Sequence, residues 1–417
     1  MRPTKFKIVL ALALGGILLI HAGMWWQTRQ SIAAGYPDFT IFYSAGTMVR
    51  LGLGHQLYDE AVEWRIQEEV APRVAIRAAA LPNMHAPFEA LLFVPFSYLP
   101  YITAYVLWDL INALILLMVA AILRPYCPAL RSYPLVLWAV VSLAFTPVFL
   151  TLLEGQDTIL LLPLYALALV AIKRNAPFSA GCWLALGLFR VHLVAPFALL
   201  MFLLKRWKFV AGFLLTGVGL AVVSAAVIGW HGLIRYPAYI WSLEHHRGAA
   251  ILSPKYTVAF RGLAEQFLAH PLGPRGVLLV TVASSLAAIL LVAWTWRSFS
   301  HNDWECLDLL FSLALIAVLL GGYHTLLYDL TLLLLPSALV INHTFVHRMR
   351  RSAHLGLVGP IAIFFFTPLY AIFWILEWKG SNLMALALMG WGLALWGYLS
   401  RGEALPLPAR GQANVAR

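Results

Sequence analysis

Charge is the scarcest commodity in this sequence. Only 11% of its 417 residues are Asp, Glu, Lys or Arg, less than half the share of about 25% usual in a soluble domain. That scarcity excludes a sizeable water-facing domain. Cysteine is nearly absent too. Cys127, Cys182 and Cys306 are scattered without metal-ligand spacing, which excludes a disulfide framework or a structural zinc knuckle, and free thiols are expected. No internal repeat at a solenoid period is found. The net charge of +11 does not imply nucleic-acid binding, because most basic residues sit in short loops between apolar runs, as cytoplasmic connections do.

Apolar length is what the sequence has. It is 62% hydrophobic with mean hydropathy +0.81, and runs long enough to cross a bilayer recur throughout. The fold class expected is an all-α polytopic membrane protein. Candidate spans are 8–26, 101–123, 134–152, 157–173, 209–229, 276–296, 305–321, 325–341, 355–376 and 382–399. Arg2, Lys5 and Lys7 precede the first run, which is longer than a signal-peptide core, so a retained helix with a cytoplasmic N-terminus is expected. Residues 178–204 carry Arg190 and His192 at their middle. As one pass, this stretch puts Lys173-Arg174 and Lys205-Arg206-Trp207-Lys208 on opposite sides; as a hairpin, 178–190 and 191–204, it puts both inside. About twelve passes follow, with both termini cytoplasmic and Arg190 at an outer tip. On this topology residues 1–400 form a single transmembrane domain, and residues 401–417 form a disordered cytoplasmic tail.

Residues 27–100 then form a first extracytoplasmic loop and 230–275 a second. Phe39, Phe42, Tyr43, Gly46 and Val49 share a helical face, and 58–77 reads as a second helix with Val62, Ile66 and Val70 on one side. Both are expected to lie at the interface. Residues 84–100, broken by Pro87, Pro95 and Pro100, read as an interfacial or partly re-entrant segment.

Ionisable residues inside spans are costly and face the protein interior. Asp38, Asp109, the turn Glu154-Gln156-Asp157, Arg190 with His192, and His324 with Asp329 all fall toward the same side, which predicts one polar cavity there. Each also has a plainer role. Asp38 follows Pro37 and precedes a helix, so it fits an N-cap. Asp109 fits an interhelical hydrogen bond, and Arg190 an ion pair that holds the hairpin. Glu244-His245-His246 contains two adjacent histidines that point apart, with no third ligand evident. Glu305 and Asp308 sit at a cytoplasmic span end and are expected to be solvated. A transporter would also bury charges, but transporters often carry paired broken helices in matching halves, and none is evident here. A non-catalytic membrane partner in envelope assembly is a third possibility.

Several phrases in succession resemble glycosyltransferase family 87, also known as DUF2029. They are Asp38-Phe39, Phe42-Tyr43, Ala45-Gly46, Gly54 and Leu57-Tyr58-Asp59; His85-Ala86-Pro87-Phe88 through Pro95, Leu99-Pro100, Trp108 and Asn112; Gly155-Gln156; Ala180-Gly181; and His324 with Tyr328-Asp329. The resemblance implies a GT-C fold and a hexosyltransferase, typically a mannosyltransferase, that draws on a polyprenyl-phosphate carrier and glycosylates a lipid or glycan acceptor outside the cytoplasmic membrane. It also implies that Asp38 is the base, that Arg190, where the family usually has Lys, approaches the carrier phosphate, and that His324 sits by donor or acceptor. Two departures, Asp157-Thr158 where Asn is common and His85-Ala86-Pro87 where Tyr-Pro-Pro is common, bear on sugar and acceptor preference.

The chemistry needs a base for the acceptor hydroxyl and a fixed positive charge for the leaving phosphate. The expected site is therefore Asp38 as base and Arg190 with His324 at the donor phosphate, while Tyr43, His85, Gln156, Asp157 and Asp329 contact substrate. No metal or other cofactor is expected, because the phosphate is already a good leaving group. The expected partners are the membrane lipid carrier and the acceptor, with no nucleic acid.

Overall fold

The computed structural model describes residues 3–70, 81–246, 256–299, 304–347, 349–377 and 380–401. Among them every regular element is helical. A chain this apolar has little choice, since backbone polar groups in lipid must be paired within their own segment. Among the described residues, seven helices are long and apolar enough to cross a membrane, or nine if two bent pairs each count as one span. Two shorter apolar helices, Thr158–Lys173 and Cys306–Gly321, add to them.

The stretch Pro177–Leu203 is not a straight rod. Helix Pro177–Ala185 tightens into a 3₁₀ segment, Leu186–Arg190, and the backbone breaks at Arg190 (φ −113°, ψ 64°) before helix Val191–Leu203. A straight helix of 27 residues would hold its ends about 40 Å apart. Here the chain following Leu203 returns to the chain that follows Pro177. A Cβ on Gly181 would stand 2.0 Å from the Phe209 carbonyl oxygen, and one on Gly212 would stand 2.1 Å from that of Phe178. Glycine at both positions lets the two backbones touch. Arg297 donates to the Leu203 carbonyl at the same end, and the Arg174 guanidinium reaches the Tyr126 hydroxyl (2.7 Å).

Two expected spans are broken. Residues 134–152 form Leu135–Ala144 and Thr146–Glu154, bent by 75°, and 355–376 form Arg351–Phe365 and Thr367–Phe373, bent by 51°. In each case a Thr-Pro pair, Thr146-Pro147 or Thr367-Pro368, opens the second helix. Proline has no N–H to continue the ladder but suits a helix start. The two threonine hydroxyls bond each other (3.0 Å), and His21 approaches Thr367 (3.3 Å). The absence of broken helices therefore does not hold as an argument against transport.

The expected second loop, 230–275, is largely helical where described. The helical stretch Trp207–His246 is broken at Gly229 (φ 76°, ψ 159°) and Phe260–Arg297 at Gly273 (φ 65°, ψ 178°), so helix breaks fall near the expected span ends at 229 and 276 and the residues between carry helices of their own. The side chains of Glu244, His245 and His246, and residues 247–255, lie outside the described residues, as do 71–80 and the tail after residue 401.

Helix Phe39–Arg50 also differs from expectation. Nine consecutive or near-consecutive residues from Phe39 to Met48 are buried, so the helix is enclosed on all sides rather than resting on one face. Phe93 stacks on Phe42 (4.8 Å) and packs against Trp108 (4.8 Å), which places the proline-broken 84–100 segment over this helix. Asp308, expected to be solvated, is 7% exposed and pairs with the equally sheltered Lys173 at 2.5 Å. The two residues are too far apart in sequence for any pattern to reveal the pair.

Candidate active site

Helix Thr146–Glu154 ends at Gly155, whose left-handed φ of 60° suits a residue without Cβ. The turn that follows projects Gln156 and Asp157 back across the bundle. Opposite them stands Arg190, 6% exposed at the break of the folded-back segment. Arg190 Nε donates to Asp157 Oδ1 (2.6 Å), and Nη2 reaches both Asp157 Oδ1 and Gln156 Oε1. Nη1 faces Asp329 Oδ1 at 3.7 Å, longer than a hydrogen bond. The guanidinium lies 5.4 Å from the Tyr328 ring centroid.

Gln156 has only one orientation that satisfies its neighbours. A guanidinium can only donate, so the amide oxygen must face Arg190 and the amide nitrogen must point away. That nitrogen donates to Asp38 Oδ2 at 2.7 Å. Asp38 stands at the N-cap position of helix Phe39–Arg50 but makes no side-chain cap bond. Its carboxylate is committed to Gln156 instead. Asp38 is half-buried while Gln156 and Asp157 are fully buried, so the chain Asp38–Gln156–Arg190 leads from a more accessible carboxylate to an enclosed cation.

Asp329 is held from the far side. Thr158 Oγ1 donates to its Oδ1 (2.9 Å) and the Leu326 backbone N–H to its Oδ2 (2.8 Å), while His192 Nε2 stands 3.9 Å from Oδ2. His85 closes the cluster, with Nδ1 3.1 Å from Glu89 Oε2 and 3.9 Å from Asp157 Oδ2.

Burial lowers the His85 pKa to about 4, Asp157 opposing and Arg190 assisting, so the ring is neutral near pH 7. Burial, with the Asp157 carboxylate next to it, pushes Glu89 well above the usual carboxylate range.

The cluster thus brings together Asp38, Gln156, Asp157, Arg190, Asp329 and His85. His324 is at its edge, 6.4 Å from the His192 ring and 5.0 Å from that of Tyr323. Tyr43 turns away, its hydroxyl donating to the Leu99 carbonyl (2.8 Å) and its ring packed on Tyr101 (5.5 Å). Asp109 is not among the groups that pair with Arg190. The sequence reading passed over Glu89 and Thr158, and it placed His192 in the polar cavity without giving it a role there. Glu89 lies one helical turn after His85, and that i,i+4 spacing was the available signal.

His85 is positioned from helix Glu60–Val70. Gln67 clasps Leu81 through two bonds of 2.9 Å, Asn83 N–H donates to Glu63 Oε1 (3.3 Å), and the Tyr58 hydroxyl donates to the His85 carbonyl (2.8 Å). Tyr58 in turn packs on Tyr236 and Tyr239 (5.1 and 5.0 Å). Burial raises the Glu63 pKa to about 8, offset in part by the Asn83 N–H. The folded state therefore binds this proton more tightly than the unfolded chain, and stability from Glu63 falls as pH rises from about 4.5 to about 8. Thermal midpoints of the wild type and Glu63→Gln, measured between pH 5 and 9, should diverge with rising pH, the variant becoming the more stable of the two. Parallel curves would contradict the assignment.

The model of glycosyltransferase family 87 matches residues 83–322. No curated protein and no solved structure matches the chain. The matched segment contains His85, Glu89, Gln156, Asp157, Arg190 and His192. Asp38 and Asp329 lie outside it and are brought to the same cluster by the fold.

Proposed function

The chain belongs to glycosyltransferase family 87, and from that premise we propose that it moves a hexose, mannose first among candidates, from a polyprenyl-phosphate carrier to a lipid or glycan acceptor. The site lies on the extracytoplasmic face of the cytoplasmic membrane. The proposal includes a single GT-C-type domain over residues 1–400, about twelve passes and cytoplasmic termini. The return of the chain after Leu203 to the end where Lys173, Arg174 and Arg297 lie supports that count.

One observation carries the reading: a half-buried carboxylate, Asp38, is tied through Gln156 to a buried guanidinium, Arg190. In the proposed step Asp38 takes the proton from the acceptor hydroxyl as its oxygen attacks the anomeric carbon. The bond from that carbon to the phosphate oxygen breaks, the configuration inverts, and the electron pair leaves with the carrier phosphate. Arg190 faces the charge that develops there. A single displacement of this kind needs one carboxylate, not the pair that hydrolases use. His324 and Asp329 flank the donor side, and His85 and Asp157 the sugar.

A transport reading draws support from the two spans whose breaks meet at Thr146 and Thr367. One experiment separates the two. Purified protein in sealed vesicles receives polyprenyl-phosphate-[¹⁴C]mannose and a membrane lipid extract. Label should pass to an acceptor lipid or glycan. Label that stays on the carrier but crosses the bilayer would establish transport, and transfer from nucleotide sugars alone would overturn the donor class.

A further inference from the structure

His85, Glu89 and Asp157 are a set of nitrogen and oxygen donors whose ligand atoms all lie within 4.8 Å of one another. Asp157 divides its oxygens: Oδ1 belongs to Arg190, and Oδ2 turns toward His85 and Glu89. Asp157 Oδ2 and both oxygens of Glu89 are buried without a hydrogen-bond partner, and the two residues are 0% and 1% exposed. Such orphaned carboxylate oxygens are costly in a protein interior.

Charge points the same way. Glu89, Asp157 and Asp329 are three enclosed carboxylates. Among the described residues, the Lys or Arg that pairs with any of them is Arg190, shared by Asp157 and Asp329. Arg190 reaches Asp157 and Asp329 but is not paired with Glu89, so an ion bound between Glu89 and Asp157 supplies a cation where none stands and displaces the proton that Glu89 otherwise holds. Donors about 2.0–2.2 Å from a common ion stand roughly 3–3.5 Å apart; His85 Nδ1 is already 3.1 Å from Glu89 Oε2 and 3.9 Å from Asp157 Oδ2, so small shifts of these side chains close the set.

We propose that His85 Nδ1, a Glu89 oxygen and Asp157 Oδ2 bind a divalent transition-metal ion, of the Mn²⁺ or Zn²⁺ type. One imidazole with two carboxylates suits those ions. The ion neutralises the buried charge and fixes Asp157 against Arg190, and its remaining coordination positions are open for water or a substrate oxygen. The ion site stands on its donors and their unpartnered oxygens whether or not the proposed donor sugar is correct.

The test uses the full chain in lipid nanodiscs, stripped with EDTA and titrated with MnCl₂. Electron paramagnetic resonance follows the loss of free Mn²⁺. The wild type should show saturable binding of one ion per chain, with nitrogen coupling from the His85 imidazole in the bound-ion spectrum. Glu89→Gln and His85→Asn should each weaken binding by about tenfold or more, as loss of metal-site partners does. His55→Ala, an exposed histidine away from the cluster, should bind as the wild type does. Absence of saturable binding or of nitrogen coupling in the wild type would overturn the proposal, the latter even if both ligand variants misfold. Equal affinity in the ligand variants would overturn it too.

Discussion

Arg190→Ala should neither fold stably nor transfer sugar. Arg190 is 6% exposed and is the shared cationic partner of Asp157 and Asp329. Removing it leaves two enclosed carboxylates without compensation. Breaking a buried pair from one side costs about 3–5 kcal/mol, because the surviving charge stays buried. The cost is raised further here because Gln156 loses the donor that sets its amide orientation. Arg190→Lys is the informative companion. An ammonium keeps the charge but lacks the planar fork that reaches Asp157 and Gln156 together. The expected outcome is a sharply lowered thermal midpoint and poor yield for alanine, and a folded lysine variant slower in transfer by about 10²–10³-fold, the size of effect seen when one electrostatic donor is lost. Size-exclusion profiles, thermal scans and transfer rates read the two apart. A stable, active Arg190→Ala would remove Arg190 from both roles.

Asp38→Asn has the second large effect, with the opposite signature: the fold should persist and turnover should be lost. Asparagine is nearly isosteric, and Asp38 makes no side-chain cap bond whose loss would loosen helix Phe39–Arg50. Asparagine retains the contact with Gln156 Nε2 by presenting its carbonyl oxygen. What asparagine cannot do is accept the acceptor's proton. A positioned general base contributes about 10²–10⁴-fold, so the rate should fall by about that factor.

How much of this was visible in the sequence differs from residue to residue, for physical reasons. Asp38, Gln156, Asp157, Arg190 and Asp329 were legible because charge is rare in an apolar chain. A polar group at a span end must meet another, and the sidedness of the basic loops indicated which end. Tyr43 stands apart from the cluster, its hydroxyl spent on Leu99, because an aromatic in an apolar phrase carries no sign of which way it points. Glu89 escaped notice because it sits in a proline-broken apolar phrase that reads as lipid-facing. The 75° and 51° bends follow from Thr-Pro pairs that hydropathy windows average away. The helical break at Gly229 falls where the span was expected to end, and the helical residues beyond it include Tyr236 and Tyr239, which pack on Tyr58, a tertiary contact that no local pattern contains. Lys173 and Asp308 are likewise paired only by the fold.

The central claim is that Asp38 works as the base of a glycosyl transfer and not as a helix cap or a binding group. The direct measurement is made on wild type and Asp38→Asn in the same nanodiscs, with binding of polyprenyl-phosphate-[¹⁴C]mannose and single-turnover transfer recorded together. The account predicts donor binding and thermal midpoint close to wild type, with transfer lowered by about 10²–10⁴-fold. Undiminished transfer by Asp38→Asn, or a loss of transfer that merely tracks a loss of donor binding or of fold, would contradict it.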